Sequence, residues 1–480
     1  MEKGGKEGFT VNNMFRKIQH IHFVGIGGAG MSGIAEVLLN LGYKVSGSDM
    51  CETEVVQRLR NAGGHITIGH SSSNIKGAQV VVISSAVSPH NIEVVAARSS
   101  SIPVIQRAEM LAELMRLKYG IAIAGAHGKT TTTSMISSVM ASAGLDPTVV
   151  IGGKLNSLGS NAKLGQSEFL VAEADESDGS FLKLSPTIAI VTNIDAEHLD
   201  YYHDIENIRK TFLSFINKVP FYGVSILCVD DANIRSILHA VEKRYITYGI
   251  INRADITVAD IEMMSGKSKF RVLHKGVDMG KFELSLPGMH NITNALSSIG
   301  AAVELDINID EVKKALRDFS GVERRFQIVG RIDAQDILIV DDYGHHPTEI
   351  RATLAAAKAG WGRRTVVLFQ PHRYTRTRDL MNEFAEAFSN ADVLLVTDIY
   401  PAGEQPVEGV SGKILFNTIR EHGQRNVWFV PDKKAIPDKA RELLMQGDIV
   451  ITLGAGDIWK AGREIIELNN GETLDVRSKT

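Results

Sequence analysis

Residues 121–132 read Ile-Ala-Ile-Ala-Gly-Ala-His-Gly-Lys-Thr-Thr-Thr, an apolar stretch that runs into a glycine turn. A helical pattern, Ser134–Ala143, follows the turn. Backbone N–H groups in such a turn form a phosphate cradle, in which a lysine reaches the β- and γ-phosphates and the next hydroxyl holds Mg²⁺. Lys129 and Thr130 therefore predict a nucleoside triphosphate site. The spacing of the glycines departs from the usual loop, and the alternative is a tight turn with no ligand.

A second glycine-rich turn, Gly25-Ile-Gly-Gly-Ala-Gly30, follows the apolar strand pattern His20–Gly25 and precedes the helical pattern Met31–Leu41. The next strand pattern ends at Asp49, about twenty positions on, as in the dinucleotide fingerprint of a βαβ unit. Ser84 ends a further buried strand pattern and would lie at the same edge of the sheet. A purely structural role for these glycines is the alternative.

Carboxylates follow two strand patterns in the middle of the chain. Phe169–Ala172 leads into Glu173-Ala-Asp-Glu-Ser177, and Thr187–Thr192 leads into Asn193-Ile-Asp-Ala-Glu-His198. A strand that delivers carboxylates beside a phosphate loop is how a nucleotide site obtains its Mg²⁺ ligands, and the second cluster would suit a second cation. Solvated charges in turns are the alternative for the second cluster.

Polar clusters also follow three strand patterns in the last third, at Asp341-Asp-Tyr-Gly-His-His-Pro347, Gln370-Pro-His-Arg-Tyr-Thr-Arg-Thr-Arg378 and Gly454-Ala-Gly-Asp457. Ligands bind at this edge of open parallel sheets. Guanidinium groups grip carboxylates and phosphates bidentately, so the arginines favour an anion receptor over a solvated face. Joint metal binding by the two histidines is disfavoured, since strand neighbours point to opposite faces.

The composition indicates an ordinary globular protein of about two to four domains, with 480 residues, 44% hydrophobic and 22% charged. A net charge of −4 gives no indication of a nucleic-acid partner. Two cysteines fit a reducing cytoplasm, and no stretch is long and apolar enough to insert in a membrane. Strand and helix patterns alternate throughout, which predicts an α/β fold.

Together these motifs resemble the Mur ligase family, the ATP-dependent amide ligases that build the peptide of bacterial cell-wall precursors. The resemblance covers residues 18–465 and rests on the motifs above, including Gly25–Gly33, Ala126–Thr132, Glu173–Gly179 and Asn193–His198. It implies three domains: a Rossmann-like UDP-binding domain (1–118, with 1–17 a loose tail), a central P-loop ATPase-type α/β domain (119–321) and a C-terminal Rossmann-like α/β domain (322–480) for the amino acid.

The Asp341–Pro347 and Gln370–Thr377 segments are most similar to the alanine-adding branch of the family. That branch uses ATP to convert the lactyl carboxylate of UDP-N-acetylmuramate to an acyl phosphate, which the amine of L-alanine attacks. The implied partners are these small molecules and two Mg²⁺ ions, with the chain a monomer or weak homodimer. The branch that attaches a ready-made tripeptide, an NAD-dependent dehydrogenase and a non-catalytic nucleotide-binding regulator are the alternatives.

The resemblance also implies a role for individual residues. Catalysis would rest on Lys129, Glu173 and His198, and the metal ligands would be Thr130, Glu173 and His198. ATP would contact Gly125, Ala126, His127, Gly128, Lys129, Thr130, Thr131, His290, Asn291, Asn294, Arg325 and Asp342. The UDP-sugar would contact Gly25, Gly27, Gly28, Gly30, Asp49, His70, Ser84 and Asn156. L-alanine would contact Tyr343, His345, His372, Arg373 and Arg376.

Two features stand apart from this assignment. Many Mur ligases use a carbamylated lysine at the position of Leu213, so the sequence leaves the second metal's ligand shell incomplete. Residues 403–412, Gly-Glu-Gln-Pro-Val-Glu-Gly-Val-Ser-Gly, have the composition of an ordered functional loop, to which the sequence assigns no role.

Overall fold

The computed structural model describes residues 17–84, 86–152 and 162–470. Asn156 and residues 1–16 of the predicted tail lie outside these ranges. The chain forms two compact units. The first unit consists of Met1–Thr257, His274–Val277 and Asn294–Ala315. The second unit consists of Val258–Leu273, Asp278–Thr293 and Leu316–Thr480. In the described residues no helix has the length and apolar character needed to cross a membrane.

The first sheet is parallel, with the order β3-β2-β1-β4-β5. Its strands are β1 (His20–Val24), β2 (Lys44–Asp49), β3 (His65–Ile68), β4 (Val80–Ile83) and β5 (Val104–Gln106). Its helices are α1 (Ala29–Asn40), α2 (Glu54–Asn61), α3 (Ile92–Ser99) and α4 (Arg107–Met115). The strand order reverses between β1 and β4, and ligands bind at that point of an open sheet, beside the glycine turn that follows β1.

The second sheet contains β6 (Tyr119–Ala124), β7 (Thr148–Val150), β8 (Ala162–Lys163), β9 (Phe169–Glu173), β10 (Ile188–Val191), β11 (Val224–Cys228) and β12 (Tyr245–Tyr248). The sheet order continues from β12 through β13 (Ile256–Met264), β14 (Lys267–His274) and β15 (Val277–Leu284). The helices of this part are α5 (Lys129–Ser142), α6 (Leu199–Tyr202), α7 (Ile205–Ile216), α8 (Ala232–Ile237), α9 (Met289–Glu304) and α10 (Ile309–Arg317). β6 pairs in parallel with both β9 and β10, so the phosphate loop after β6 lies between the two carboxylate-bearing strand ends.

The third sheet has the order β16-β17-β21-β18-β19-β20, with only β16 antiparallel to its neighbour among these strands. Its strands are β16 (Gln327–Ile332), β17 (Ile337–Asp342), β18 (Thr365–Phe369), β19 (Val393–Val396), β20 (Val427–Phe429) and β21 (Ile449–Leu453). Its helices are α11 (Pro347–Trp361), α12 (Tyr374–Asp379), α13 (Met381–Glu386), α14 (Gly412–Glu421), α15 (Ile436–Leu443) and α16 (Trp459–Asn470). Alternate residues of β18 enter two separate hydrophobic clusters, Val367 and Phe369 in one and Val366 and Leu368 in the other, so both faces of the sheet are covered.

Two predicted boundaries were wrong. α5 begins at Lys129 rather than Ser134, because Gly128, with φ +82°, caps it and the Thr133 and Ser134 hydroxyls donate to Lys129 O and Thr130 O at 2.8 and 2.7 Å. Asp341 and Asp342 lie inside β17 rather than after it, paired with Thr452 and Leu453 of β21.

Candidate active site

The phosphate loop is held in shape by the end of β10. His127 N–H donates to Asn193 Oδ1 at 2.9 Å, and Thr192 Oγ1 donates to His127 O at 2.6 Å. His127 Nε2 lies 2.9 Å from Asp195 Oδ2. A Cβ at Gly128 would lie 2.6 Å from Asn294 Oδ1, so Asn294 borders the loop. Ala126, Thr130 and Thr131 complete the loop and the first turn of α5.

Lys129 lies under this loop and has a carboxylate partner. Its Nζ donates to Gly125 O at 2.5 Å, to Ala126 O at 3.2 Å and to Glu176 Oε1 at 2.7 Å. Burial on its own would lower the pKa of Lys129, but the charge and hydrogen bond of Glu176 outweigh it and leave this pKa above its ordinary value. Lys129 is therefore a permanent cation at the point where the loop receives an anion.

Glu176 is only 4% exposed and lies among like charges. Burial raises the pKa of Glu176 to about 7; Lys129 opposes this shift, and Asp175 and Glu197 reinforce it. The sequence analysis placed Glu176 in a polar cluster but gave it no role. Its distance of 47 positions from Lys129 explains the omission, since only the parallel pairing of β6 and β9 brings them together.

Glu176, Glu197 and His198 form a group whose ligand atoms all lie within 4.8 Å of one another. His198 is the cap of α6 and has a left-handed backbone, with φ +54°. The structure thus brings the predicted ligand His198 together with two carboxylates that the sequence analysis had not named as ligands. Two carboxylates and an imidazole are donors that suit a divalent cation.

Glu173, the other predicted metal ligand, ends β9 opposite Ile123 of β6. A Cβ at Gly152 would lie 2.8 Å from Glu173 Oε2, so the carboxylate packs against the backbone at the end of β7. Thr130 lies in the first turn of α5. Both side chains belong to the unit that holds the phosphate loop.

The glycine turn of the first domain is tied to the end of β2. Gly25 and Ile26 N–H donate to Ser48 O at 2.9 and 3.0 Å, and Gly27 N–H donates to Asp49 Oδ2 at 2.8 Å. Gly25 has φ +77°, which favours glycine, and Gly28 caps α1. Asp49 therefore shapes the turn directly.

Arg107, which the sequence analysis missed, lies against this turn. A Cβ at Gly30 would lie 2.9 Å from Arg107 Nη1, and Arg107 Nη2 donates to Asp175 Oδ2 at 2.8 Å. Arg107 begins α4 directly after β5, so the rule that ligands bind after parallel strands could have identified it. It places a guanidinium beside a turn suited to a pyrophosphate.

His70 is positioned by a buried carboxylate. Its Nδ1 lies 3.0 Å from Ser48 Oγ, which donates to Glu93 Oε2 at 2.5 Å, while Asn74 Nδ2 and Ser71 N–H donate to Glu93 Oε1 at 2.5 and 3.1 Å. Glu93 is fully buried; the hydrogen bonds from His22, Ser48, Asn74 and Ser71 outweigh burial and lower its pKa to about 2. Ser84 lies at the end of β4, where its Oγ accepts from Ala86 N–H at 3.2 Å.

In the second unit, Arg325, Asp342 and Tyr343 lie together. Arg325 Nη1 donates to Glu349 Oε1 at 3.2 Å, and its guanidinium lies 5.3 Å from the centre of the Tyr343 ring. Asp342 accepts from Phe326 and Gly344 N–H, each at 2.7 Å. Burial raises the pKa of Asp342 to about 6, against the charge of Arg325.

His290 and Asn291 lie at the start of α9. Burial, with the charge of Arg325, lowers the pKa of His290 to about 4, so this ring is neutral at pH 7. Asn291 Nδ2 donates to Pro287 O at 2.7 Å, which closes the turn before the helix. These contacts place His290 near Arg325 and give Asn291 a capping contact.

Four of the five residues that were predicted to bind the amino-acid substrate form one cluster. The ring of His345 lies edge-on to Tyr343 and His372, with centres 5.3 and 5.6 Å apart. Arg376 Nη1 donates to His372 Nδ1 at 3.2 Å. Burial and the neighbouring cations lower the pKa of His372 to about 3, so Nδ1 is an acceptor. Arg373 follows His372 with φ +71° and faces Glu404.

Comparisons with known proteins agree with this architecture. Three family models match the chain: the Mur ligase family catalytic domain over residues 20–119, the Mur ligase middle domain over 123–302 and the Mur ligase glutamate ligase domain over 324–456.

Named relatives match over nearly the full length. UDP-N-acetylmuramate–L-alanine ligases of Geotalea daltonii and Geobacter sulfurreducens are both 58% identical, covering 95% and 94% of this chain and 99% and 98% of theirs. The crystal structure of UDP-N-acetylmuramate–alanine ligase from Thermotoga maritima has a TM-score of 0.80 at 30% identity, over 95% of this chain and 100% of that one. The phosphate loop, the glycine turn and the matches across all three sheets lead to one conclusion: this chain belongs to the Mur ligase family and has its three-domain α/β fold.

Proposed function

We propose that the protein joins L-alanine to the lactyl carboxylate of UDP-N-acetylmuramate and converts ATP to ADP and phosphate. The observation that carries this proposal is the position of Lys129 in a phosphate loop, within one unit that also holds the Glu176, Glu197 and His198 group. Relatives 58% identical over nearly their whole length carry this activity in their names. ATP is the co-substrate expected of this family.

The reaction needs ATP because a carboxylate is a poor electrophile. A lactyl carboxylate oxygen bonds to the γ-phosphorus as the bond to ADP breaks, and an acyl phosphate forms. The amine nitrogen of L-alanine then bonds to the carbonyl carbon, the C–O bond to phosphate breaks, and the amine loses a proton to solvent. Negative charge develops on the γ-phosphate oxygens in the first step, and Lys129 with the loop N–H groups stabilises it.

Magnesium fits the residues present. Glu176, Glu197 and His198 can converge on one cation, and Glu173 and Thr130 supply oxygen donors near the phosphate loop. Bound there, Mg²⁺ would offset the repulsion between the γ-phosphate and the acceptor carboxylate. Glu197 would add a donor to the ligand shell of the second metal. That shell otherwise lacks one ligand, because Leu213 stands where many Mur ligases have a carbamylated lysine.

The nucleotide of the sugar substrate is assigned to the first domain. The N-terminal end of α1, which follows the glycine turn after β1, and the guanidinium of Arg107 suit a pyrophosphate, and His70 and Ser84 lie at the same sheet edge. Asn156, expected near the muramoyl sugar, stays a prediction.

The acceptor amino acid is assigned to the cluster of Tyr343, His345, His372 and Arg376, with Arg373 beside it. Arginine binds a carboxylate through two parallel hydrogen bonds, and the surrounding rings restrict the space for a side chain. A pocket of this kind excludes large amino acids by size, whereas one methyl separates alanine from glycine by only about 1–3 kcal/mol.

We also propose that the enzyme acts in the cytoplasm as a monomer or weak homodimer, with domains at 1–118, 119–321 and 322–480. Sedimentation velocity across a concentration series tests the oligomeric state, and a single species larger than a dimer contradicts it. The small molecules named above are the expected partners.

The test of the function is phosphate release with ATP, Mg²⁺ and UDP-N-acetylmuramate, comparing L-alanine, glycine, L-serine and the tripeptide L-Ala-D-Glu-meso-diaminopimelate. We expect release that requires both the sugar nucleotide and L-alanine. A preference for the tripeptide would move the protein to the tripeptide-adding branch. No turnover with any acceptor would refute the catalytic proposal.

A further inference from the structure

Residues 400–404 lie alongside residues 371–375 and fix their backbone. Tyr400 N–H donates to Pro371 O at 2.8 Å, and Arg373 N–H donates to Tyr400 O at 2.9 Å. The Tyr400 ring stacks on His372, with the ring planes 7° apart and the centres 5.5 Å apart. The 403–412 segment, which the sequence left without a role, begins three residues after Tyr400 and so starts beside the predicted amino-acid site.

Glu404 makes the side-chain part of this contact. Its Oε1 accepts from the Thr375 hydroxyl at 2.6 Å, and its Oε2 accepts from Thr375 N–H at 3.1 Å. Burial opposes ionisation of Glu404, but the hydrogen bonds from Thr375 and the charge of Arg373 outweigh it and lower the pKa. Glu404 is thus a fixed carboxylate, with a side chain 21% exposed.

The charge of Glu404 lies beside Arg373. Arg373 Nε is 4.0 Å from Glu404 Oε1, an ion pair through the inner nitrogen of the guanidinium. The two terminal nitrogens, which form the fork that binds a carboxylate, take no part in this ion pair. The Glu404 charge therefore lies on the inner side of the guanidinium, beyond hydrogen-bond distance, and among the described residues the terminal nitrogens make no contact with Glu404 closer than this one.

Arg373 also has an unusual backbone. Its φ of +71° is uncommon for a residue with a side chain, and such strain persists only where surrounding contacts hold it. The Thr377 hydroxyl donates to Arg373 O at 2.8 Å, and Tyr400 O accepts from its N–H. Neighbouring residues thus hold the backbone from which the Arg373 side chain starts, next to the charge of Glu404.

We propose that Glu404 is a positioning residue that orients Arg373 to bind the carboxylate of the incoming amino acid. Arginine loses rotamer entropy when it is fixed, so a charge that favours the binding orientation before the substrate arrives lowers the cost of capturing the substrate. The proposal rests on the function proposed above and assigns the first role to a residue of the 403–412 segment.

The test is steady-state kinetics of Glu404→Gln with Glu408→Gln as the matched control, since Glu408 is an exposed glutamate in the same segment. We expect Glu404→Gln to raise the KM for L-alanine about five- to twentyfold. The KM values for ATP and UDP-N-acetylmuramate should stay within about twofold, and kcat should change little. Glu408→Gln should match the wild type.

A second readout uses L-alanine amide, which lacks the carboxylate. Glu404→Gln should reduce the preference for L-alanine over this analogue, because only the carboxylate contact is weakened. Thr375→Val, which removes one donor to Glu404, should shift the same KM in the same direction by a smaller factor.

An unchanged KM for L-alanine in Glu404→Gln, or a parallel rise of all three KM values, would overturn the proposal; if Glu404→Gln does not fold, Thr375→Val decides by the same criteria. Failure of the proposed function has a different signature, because the wild type would then show no phosphate release that depends on L-alanine.

Discussion

Lys129 Nζ donates to Glu176 Oε1 across 2.7 Å, so the lysine of the phosphate loop already has a carboxyl partner within the protein. The lysine side chain is 19% exposed and that of Glu176 is 5% exposed. Removing one member of a buried ion pair leaves the other charge without compensation. We therefore expect Glu176 to influence the affinity of the loop for a phosphate group.

We therefore expect Glu176→Gln to lower the free energy of unfolding by about 2–4 kcal/mol, measured by denaturant titration. ADP without metal should raise the Tm of the variant more than that of the wild type, because its phosphates replace the lost charge. Glu206→Gln, which changes an exposed glutamate paired with Arg209, is the control and should cost about 0.5 kcal/mol or less. Equal stability of Glu176→Gln and the wild type would contradict this prediction.

Gly125 tests the geometry of the phosphate loop. Its φ is +139°, and a Cβ there would lie 2.0 Å from Thr192 Oγ1. Gly125→Ala should lower the free energy of unfolding by about 2–4 kcal/mol and slow phosphate release at least about tenfold, because the loop must move. Gly144→Ala is the control for backbone strain alone, since Gly144 has φ +75° with no atom within 4 Å of the added Cβ; its cost should be about 1 kcal/mol. Equal effects of the two substitutions would refute the steric argument.

His198 tests the metal site. Chelation of divalent cations should abolish phosphate release, and Mg²⁺ should restore it. His198→Asn should lower kcat on the order of 10²-fold and raise the Mg²⁺ concentration needed for half-maximal rate, since one ligand is lost. Asparagine tolerates the left-handed backbone, and His203→Asn, at φ +69° on the other end of α6, is the matched control. A Mg²⁺ dependence shared by all three proteins would exclude His198 as a ligand.

Glu93 gives a pH dependence of stability. Its pKa falls from 4.5 to about 2 on folding, so the ionised form stabilises the fold above pH 4.5 and this contribution is lost as the pH falls toward 2. The free energy involved is roughly 3 kcal/mol, from a shift of about 2.5 units. Denaturant titrations between pH 6 and 3 should show a steeper loss for the wild type than for Glu93→Gln, with Glu113→Gln, at a half-exposed glutamate, following the wild type. Parallel curves for the wild type and Glu93→Gln would contradict this assignment.

Strands with buried faces were predictable from the sequence. Val393–Val396, Thr365–Phe369 and Ile449–Leu453 begin and end where the apolar runs do, because strands covered on both faces are continuously apolar. The antiparallel strand β16 and the half-exposed strands β13 to β15 have mixed patterns and were missed. Their pairing depends on neighbours rather than on local composition.

The candidate site was predictable only where its residues follow a strand within one motif. Lys129 and His198 stand in such motifs, and the structure places Lys129 against Glu176 and His198 beside Glu176 and Glu197. Glu176 and Arg107 gain their significance from residues 47 and 68 positions away. Local spacing in the sequence gives no sign of contacts over that range, and of the two residues only Arg107 had a local signal, its position directly after β5.

The first unit is built from segments that are not continuous along the chain, and this has a consequence for biosynthesis. The first unit includes Asn294–Ala315, and Ser142 Oγ at the end of α5 donates to Glu311 Oε2 at 2.6 Å. At ribosomal rates of about 5–20 residues per second, roughly ten to forty seconds separate emergence of the phosphate loop from that of α10. The helix α5 that follows the phosphate loop therefore gains its contact with α10 only after strands of the second unit have been translated.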